Sequence, residues 1–418
     1  MQHLVGRLLI TLLTVAWFTA AIGHAQDMEP TAMLFENVRI FDGTSSALSA
    51  PSNVLVRGNK IDKIATAPIS VGPDVAVIRG EGRTLMPGLI DAHAHLAMTT
   101  ISQMTLMTSD ANYAVLRAGQ DAGEMLMRGV TSVRDAGGPV FGLKRMIDEG
   151  RIPGPRIWPS GALISQTAGH GDFRTVHDLP RADGDIHFSE RYGYAAIADG
   201  EAEVLRRVRE QLMRGASQIK LMAGGGVSSV YDPIDVSQFT EAELRAAVEA
   251  ASAWGTYVMV HAYTTEAVRT ALRAGVKSIE HGQLIDEDTI KMMVENNVWL
   301  SVQPFLGDPD PRFPEGSPSR LKQLEVAQGT EHTIQLAKQH GVRFAWGVDA
   351  LFNPQKAAAQ TEQLAVMSRW FSPGEVLTMA TRNNAELLAL SGPRNPYPGK
   401  LGVVEEGALA DLLLVDGD

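Results

Sequence analysis

Short apolar strands alternate with helical segments through the middle of the chain, β-rich stretches stand at both ends, and metal-binding side chains recur where apolar strands stop. These observations predict an α/β protein: a (β/α)8 TIM-type barrel with a small β-sandwich domain built from both chain ends. The expected boundaries are 1–25 for a signal peptide, 26–86 and 391–418 for the two parts of the sandwich, and 87–390 for the barrel. At 418 residues, 44% hydrophobic and 20% charged, the chain has material for a large core and lacks the composition of a disordered protein.

Taken in order, His3 and Arg7 precede an apolar run from Leu8 to Ile22, and Gly23-His24-Ala25 offers a signal-peptidase site before Gln26. The run is short for a spanning helix and polar sequence follows it, so no stable membrane anchor is expected after cleavage and the expected location is periplasmic or secreted. Residues 33–41, 53–57 and 60–65 read as strands separated by the turn signals Asp42-Gly43 and Gly58-Asn59. Residues 407–415 give a similar stretch at the other end, and the two ends are expected to meet. Between them, 130–135, 218–222 and 257–261 are strand-like, whereas 201–214, 241–254 and 330–340 have helical spacing. Two long loops, 165–200 and 303–319, interrupt the pattern and are expected to wall the catalytic face.

Composition narrows the chemistry. The chain has no cysteine, which excludes disulfides, thiolate metal sites and a cysteine nucleophile, so a transition metal would have to be held by His, Asp, Glu or a modified Lys. The formal charge is −11 and becomes −12 when the leader, with one Arg and no acid, is lost. Nucleic acid is therefore not an expected partner.

His93 and His95, in Gly88-Leu89-Ile90-Asp91-Ala92-His93-Ala94-His95, are two residues apart and would share one face of a strand, where two imidazoles can hold one metal. Lys220 interrupts the apolar strand Ile219-Lys220-Leu221-Met222. An inward lysine is costly unless neutralised or paired. Beside metals it can take up carbon dioxide and become an anionic carbamate ligand; the alternative is a buried pair with an acid. His261 ends Val258-Met259-Val260, His281 ends Ser278-Ile279-Glu280, and Asp349 ends the strand containing Phe344-Ala345-Trp346. Strand ends of this kind form the catalytic rim of a barrel. Asp135, also at a strand end, reads as structural.

On these residues, and on Met86-Pro87-Gly88-Leu89-Ile90-Asp91-Ala92-His93-Ala94-His95 and Gly347-Val348-Asp349-Ala350 above all, the chain resembles the metal-dependent amidohydrolase superfamily from about Leu34 to Asp418. It looks closest to the imidazolonepropionase-like and prolidase-like branch. That branch contains dipeptidases acting on Xaa-Pro or on dipeptides with a basic C-terminal residue, and amidohydrolases that split ochratoxin A. The resemblance implies two Zn2+: His93, His95 and Asp349 would hold the first, His261 and His281 the second, and N6-carboxylated Lys220 would bridge them. It also implies that His170, in Gly169-His170-Gly171-Asp172, and Tyr231 polarise the scissile carbonyl while a metal-bound hydroxide attacks and Asp349 relays the proton to the leaving amine. Tyr231 reads equally well as a loop-packing aromatic.

The implied substrate is a small-molecule amide or dipeptide with an amino-acid leaving group, a class that includes ochratoxin A; a homo-oligomer is compatible with this reading. Arg174, Arg181 and Arg191 are candidate partners for the substrate carboxylate, or else solvated loop charges. The alternatives are cyclic-amide or lactone hydrolysis, a mononuclear deaminase, and a silent barrel-shaped binding protein, which would be expected to have lost ligands. Relatives usually continue past the strand that ends at Val415, so the small domain is expected to be incomplete.

Overall fold

Alternating side chains set up the first layer. The computed structural model describes residues 32–180 and 184–417; the expected signal peptide and Arg181 lie outside the described residues. The chain opens with β1 (Met33–Ile40), β2 (Ser52–Arg57), β3 (Lys60–Ala65), β4 (Ala76–Arg79) and β5 (Thr84–Pro87). Arg57 pairs directly with Lys60, so Gly58-Asn59 forms a two-residue hairpin loop, as the sequence indicates.

Two sets of mutually parallel strands follow. They are β6 (Leu89–Ala94), β7 (Val130–Asp135), β8 (Arg156–Pro159), β9 (Leu163–Ser165), β10 (Ala195–Ile197), β11 (Ile219–Met222), β12 (Val258–Thr264), β13 (Ser278–Leu284), β14 (Trp299–Val302) and β15 (Arg343–Trp346), before β16 (Leu412–Val415) closes the chain. The two ends share one six-stranded sheet, ordered β16-β5-β1-β2-β3 with β4 on β1, and β16 runs antiparallel to β5 with Leu412 opposite Pro87. Phe35, Val38, Val54, Ile61 and Leu85 fill its core.

The middle strands form a parallel three-stranded sheet, β6-β7-β8, and a parallel seven-stranded sheet, β10-β9-β11-β12-β13-β14-β15. Strands such as β11 and β14 are buried along their whole length. This is why they read as continuous apolar runs rather than alternating ones. Helices Glu201–Met213, Glu241–Ala253 and Thr265–Ala274 pack beside them, the second started by a reciprocal Thr240–Glu243 cap. No helix among the described residues is long and apolar enough to cross a membrane.

Several boundaries differ from expectation. The strand expected over 407–415 spans only Leu412–Val415, the loop expected over 165–200 contains the helical turns Val176–Asp178 and Phe188–Arg191 and the strand Ala195–Ile197, and β15 stops at Trp346, before Asp349. The helix expected over 330–340 spans Pro318–His340, because Ser317 caps it by accepting the Arg320 N–H at 3.2 Å and proline occupies its first position. The second long loop is correspondingly shorter. Strands β12 and β13 continue beyond His261 and His281, with Ala262 opposite His281 and Thr264 opposite Leu284. The two histidines therefore sit within their strands rather than at the last residue.

Candidate metal centre

The site forms where β6, β11, β12, β13 and the turn after β15 meet. His93 lies on β6 and His95 one residue past it. His93 Nδ1 is 2.9 Å from the Glu280 carboxylate, which leaves Nε2 as the inward atom, 3.6 Å from Asp349 Oδ1. His95 Nδ1 is 3.1 Å from the Gly137 carbonyl, and its Nε2 lies 3.4 Å from the same Asp349 oxygen. These three residues each offer a ligand atom, all within 4.8 Å of one another, and could hold a metal ion. Fixing the outer imidazole nitrogen on a carboxylate or carbonyl is how metal-ligating histidines are oriented.

The second pair stands alongside. His261 uses Nε2 on the Gly225 carbonyl at 3.1 Å, so Nδ1 is the atom left for a ligand. Its ring centroid is 4.5 Å from that of His281, which is itself 5.2 Å from His93. His281 Nδ1 is buried without a hydrogen-bond partner among the described residues. A buried polar atom with no partner is costly in a finished core, and a metal ion is one group that would satisfy it. The donor set therefore fits a metal centre.

Lys220, buried on β11, places Nζ 3.5 Å from His93 Nε2. Burial pulls its ammonium down to about 8, against the opposing pull of Glu280 and Asp349. Burial would raise the Asp349 carboxyl, but His93, His95 and His281 outweigh it and hold Asp349 well below the usual carboxylate range.

The backbone accommodates this crowding at named positions. A side chain on Gly347 would come within 2.6 Å of the His93 backbone nitrogen, and one on Gly226 would overlap the His170 ring. His281 and Asp349 both hold left-handed backbone, at φ 82° and 51°. Non-glycine residues there carry strain on the order of 1–3 kcal/mol each.

Supporting groups that the sequence did not single out lie behind the ligands. Glu280 accepts Arg134 Nη2 at 2.8 Å on each oxygen and the Ser278 hydroxyl at 2.6 Å, all within the buried core. Arg134 also donates Nε to the Ala92 carbonyl at 2.6 Å. Asp91 accepts the N–H groups of His93 at 2.9 Å and Val348 at 3.1 Å, which clamps β6 to the turn carrying Asp349. Burial raises Asp91 to about 6. Asp135 accepts the Leu96 N–H at 2.8 Å and the Gly137 N–H at 3.2 Å, so it ties down a loop as expected.

His170 stacks on His261 with centroids 4.2 Å apart, and its Nδ1 is 2.7 Å from Ser229 Oγ. Tyr231 is half-exposed at the mouth, on a loop fastened by Lys322, whose ammonium donates to the carbonyls of Gly226, Ser229 and Asp232 at 3.0, 3.0 and 2.6 Å. All six expected ligands, His170 and Tyr231 line one cavity of about 490 Å3. Of the arginines expected for a carboxylate, Arg174 lines the cavity but is bound to Asp172 at 2.7 Å, and exposed Arg191 does not line it. Two further lining cations, Arg312 and Lys356, were not anticipated.

Residues 84–418 match the amidohydrolase family. The chain is 33% identical over 350 residues to ochratoxinase from Aspergillus niger, covering 79% of this chain and 70% of that protein. A prolidase structure complexed with N-methylphosphonate-L-proline is similar with a TM-score of 0.82 and 34% identity, covering 93% of each chain. A Xaa-Pro dipeptidase with bound methionine is similar with a TM-score of 0.80 and 30% identity, covering 93% of this chain and 94% of that one.

Proposed function

The chain belongs to the amidohydrolase family, in its prolidase-like branch, and is a hydrolase acting on carbon–nitrogen bonds; on that premise we propose that it cleaves the amide bond between an acyl group and an amino acid, using two zinc ions. The substrate class is dipeptides and N-acyl amino acids, including ochratoxin A, and the support for it is likeness to a prolidase, a Xaa-Pro dipeptidase and an ochratoxinase. The observation that carries the metal reading is the convergence of His93, His95, Asp349, His261, His281 and Lys220 on one cavity, with His281 Nδ1 unpartnered among the described residues.

In this reading His93, His95 and Asp349 would hold one zinc, His261 and His281 would hold the other, and carboxylated Lys220 would serve as a ligand to both. Zinc, when bound, supplies Lewis acidity and a water acidic enough to act near neutral pH. His170 and Tyr231 orient and polarise the scissile carbonyl. Water adds its oxygen to the acyl carbon, Asp349 takes one proton from it and delivers that proton to the amine nitrogen, and the carbon–nitrogen bond breaks.

We read the two sets of parallel strands as one closed (β/α)8 barrel over 87–390. Support comes from bonds across the sheet gaps: the Asp349 N–H donates to the His93 carbonyl at 2.9 Å, and the Ser217 N–H to the Pro159 carbonyl at 2.8 Å. The sheet from 26–86 and 391–418 is read as the small β-sandwich, and 1–25 as an export leader to the periplasm or beyond.

The test is a panel of dipeptides and N-acyl amino acids offered to the zinc-loaded protein, with metal counted by elemental analysis. Two zincs per chain and turnover of panel members are expected, and Asp349→Asn should lose turnover while retaining most of the metal. One zinc, with deamination instead of hydrolysis, would overturn the reading.

A further inference from the structure

Four Lys or Arg side chains line the cavity: Arg174, Lys220, Arg312 and Lys356. Two are committed to carboxylates. Arg174 Nε lies 2.8 Å from Asp172, and Arg312 Nε 3.0 Å from Asp310. Lys220 stands among the expected metal ligands. Lys356 differs from all three: it makes no ion pair among the described residues, and its ammonium donates only to the Asp349 carbonyl, at a long 3.4 Å.

Its placement is fixed by the backbone. Lys356 lies on the short helix Pro354–Ala358, capped where Asn353 Oδ1 accepts the Lys356 N–H at 2.9 Å. The preceding turn is fastened to the segment after His95: the Phe352 N–H donates to the Met98 carbonyl at 2.9 Å and the Asn353 N–H to the Thr99 carbonyl at 3.1 Å. The ammonium is therefore held beside Asp349, whose own carboxylate is turned to His93 and His95. Apolar walls from Phe173, Phe305, Phe313 and Phe352 line the same cavity. A half-buried ammonium among apolar walls, with neighbouring acids already engaged, is a site for an anion supplied from outside.

We propose that Lys356 binds the free carboxylate of the substrate's amino-acid portion and so makes the enzyme selective for carboxyl-terminated substrates. This rests on the reading that the leaving group is an amino acid. The residue contacts substrate away from the reacting atoms, so its contribution belongs to KM rather than to kcat.

The experiment takes the best-cleaved panel compound as its free acid and as its primary amide, with zinc-loaded wild type, Lys356→Met and Lys356→Arg. Wild type should prefer the acid. Lys356→Met should raise KM for the acid about 10- to 100-fold, the worth of a charge-assisted hydrogen bond, and bring the acid-to-amide ratio of kcat/KM towards one. Lys356→Arg should keep most of the preference, which a merely structural loss would not permit. An unchanged KM and acid-to-amide ratio in Lys356→Met with wild-type zinc content and melting temperature overturns the inference alone. If Lys356→Met does not fold, a Lys356→Arg protein that keeps acid and amide KM at wild-type values supports the proposal, and one that loses all preference overturns it. Wild type that cleaves nothing on the panel overturns the function reading and this inference with it.

Discussion

Replacing Arg134 by Met removes the cation beneath the centre without touching a ligand. The guanidinium is fully buried and donates to both Glu280 oxygens at 2.8 Å, to the Ala92 carbonyl at 2.6 Å, and to Ser278 Oγ at 3.2 Å. Met fills part of the volume but leaves Glu280, among the described residues, with His93 and Ser278 as its hydrogen-bond partners. Removing one partner of a buried pair costs roughly 3–5 kcal/mol, because the other charge is left uncompensated. Urea unfolding of zinc-free Arg134→Met at neutral pH should show a loss of that order, with little change in slope. The double variant Arg134→Met, Glu280→Met should recover part of it, since removing both charges also removes the desolvation cost. Burial alone would push the Glu280 carboxyl up, but Arg134 and His93 outweigh it and hold it below its usual range. A depressed carboxyl stabilises the fold above its unfolded value and loses that contribution as pH falls towards the native one. The gap between wild type and Arg134→Met should therefore be full at neutral pH and narrow below about pH 4.5. A loss under about 1 kcal/mol, or a double variant weaker than the single, would refute the assignment of Arg134 as the charge that holds Glu280 and, through it, His93.

Lys220 reacts with carbon dioxide only as the neutral amine, and burial brings it to about 8 against the pull of Glu280 and Asp349, so the reactive fraction grows as pH rises through that value. Metal-free protein reloaded with zinc and carbon-13 bicarbonate should show more carbamate by NMR at pH 8.5 than at pH 6.5, by about 25-fold if the signal follows the neutral-amine fraction at equal dissolved carbon dioxide; Lys220→Arg should show none, and equal signals at both pH values would count against the bridge. His170→Asn and Tyr231→Phe should each lower kcat by about 10²–10³-fold with zinc content unchanged, the usual cost of losing one oxyanion donor. A Tyr231→Phe enzyme with wild-type kcat would leave that residue as a packing aromatic.

The residues that gather at the cavity were legible because His93, Lys220, His261 and His281 interrupt apolar strands, while His95 and Asp349 follow one closely, and strand periodicity suggests which way a strand residue points. Lys220 was found by that logic. The same logic applies to Arg134, next to Asp135, and to Glu280, next to His281, both buried charges in apolar strands. They passed unnoticed because a mid-strand charge can serve either as a ligand or as support for one, and only the 2.8 and 2.9 Å contacts separate the two. Lys356 could not be read at all. It belongs to a short helix, and nothing local reveals that the turn after β15 folds back onto the segment following His95. Arg174 shows the converse: a loop cation that looked available is taken by Asp172, two residues away. The helix start at Pro318 carries a local signal in Ser317-Pro318, which a reading of the segment by helical spacing over 330–340 passed over.

The left-handed backbone at His281 and Asp349 is strain that the packing around both side chains has to hold in place. Glycine tolerates that conformation freely. Relieving that strain does not make His281→Gly a stabilising change, because losing the buried imidazole packed on His93, His261 and Tyr263 would leave a cavity that costs more than the strain it relieves. An engineer seeking a hardier catalyst would exclude both codons from the library and seek improvement elsewhere on the molecule.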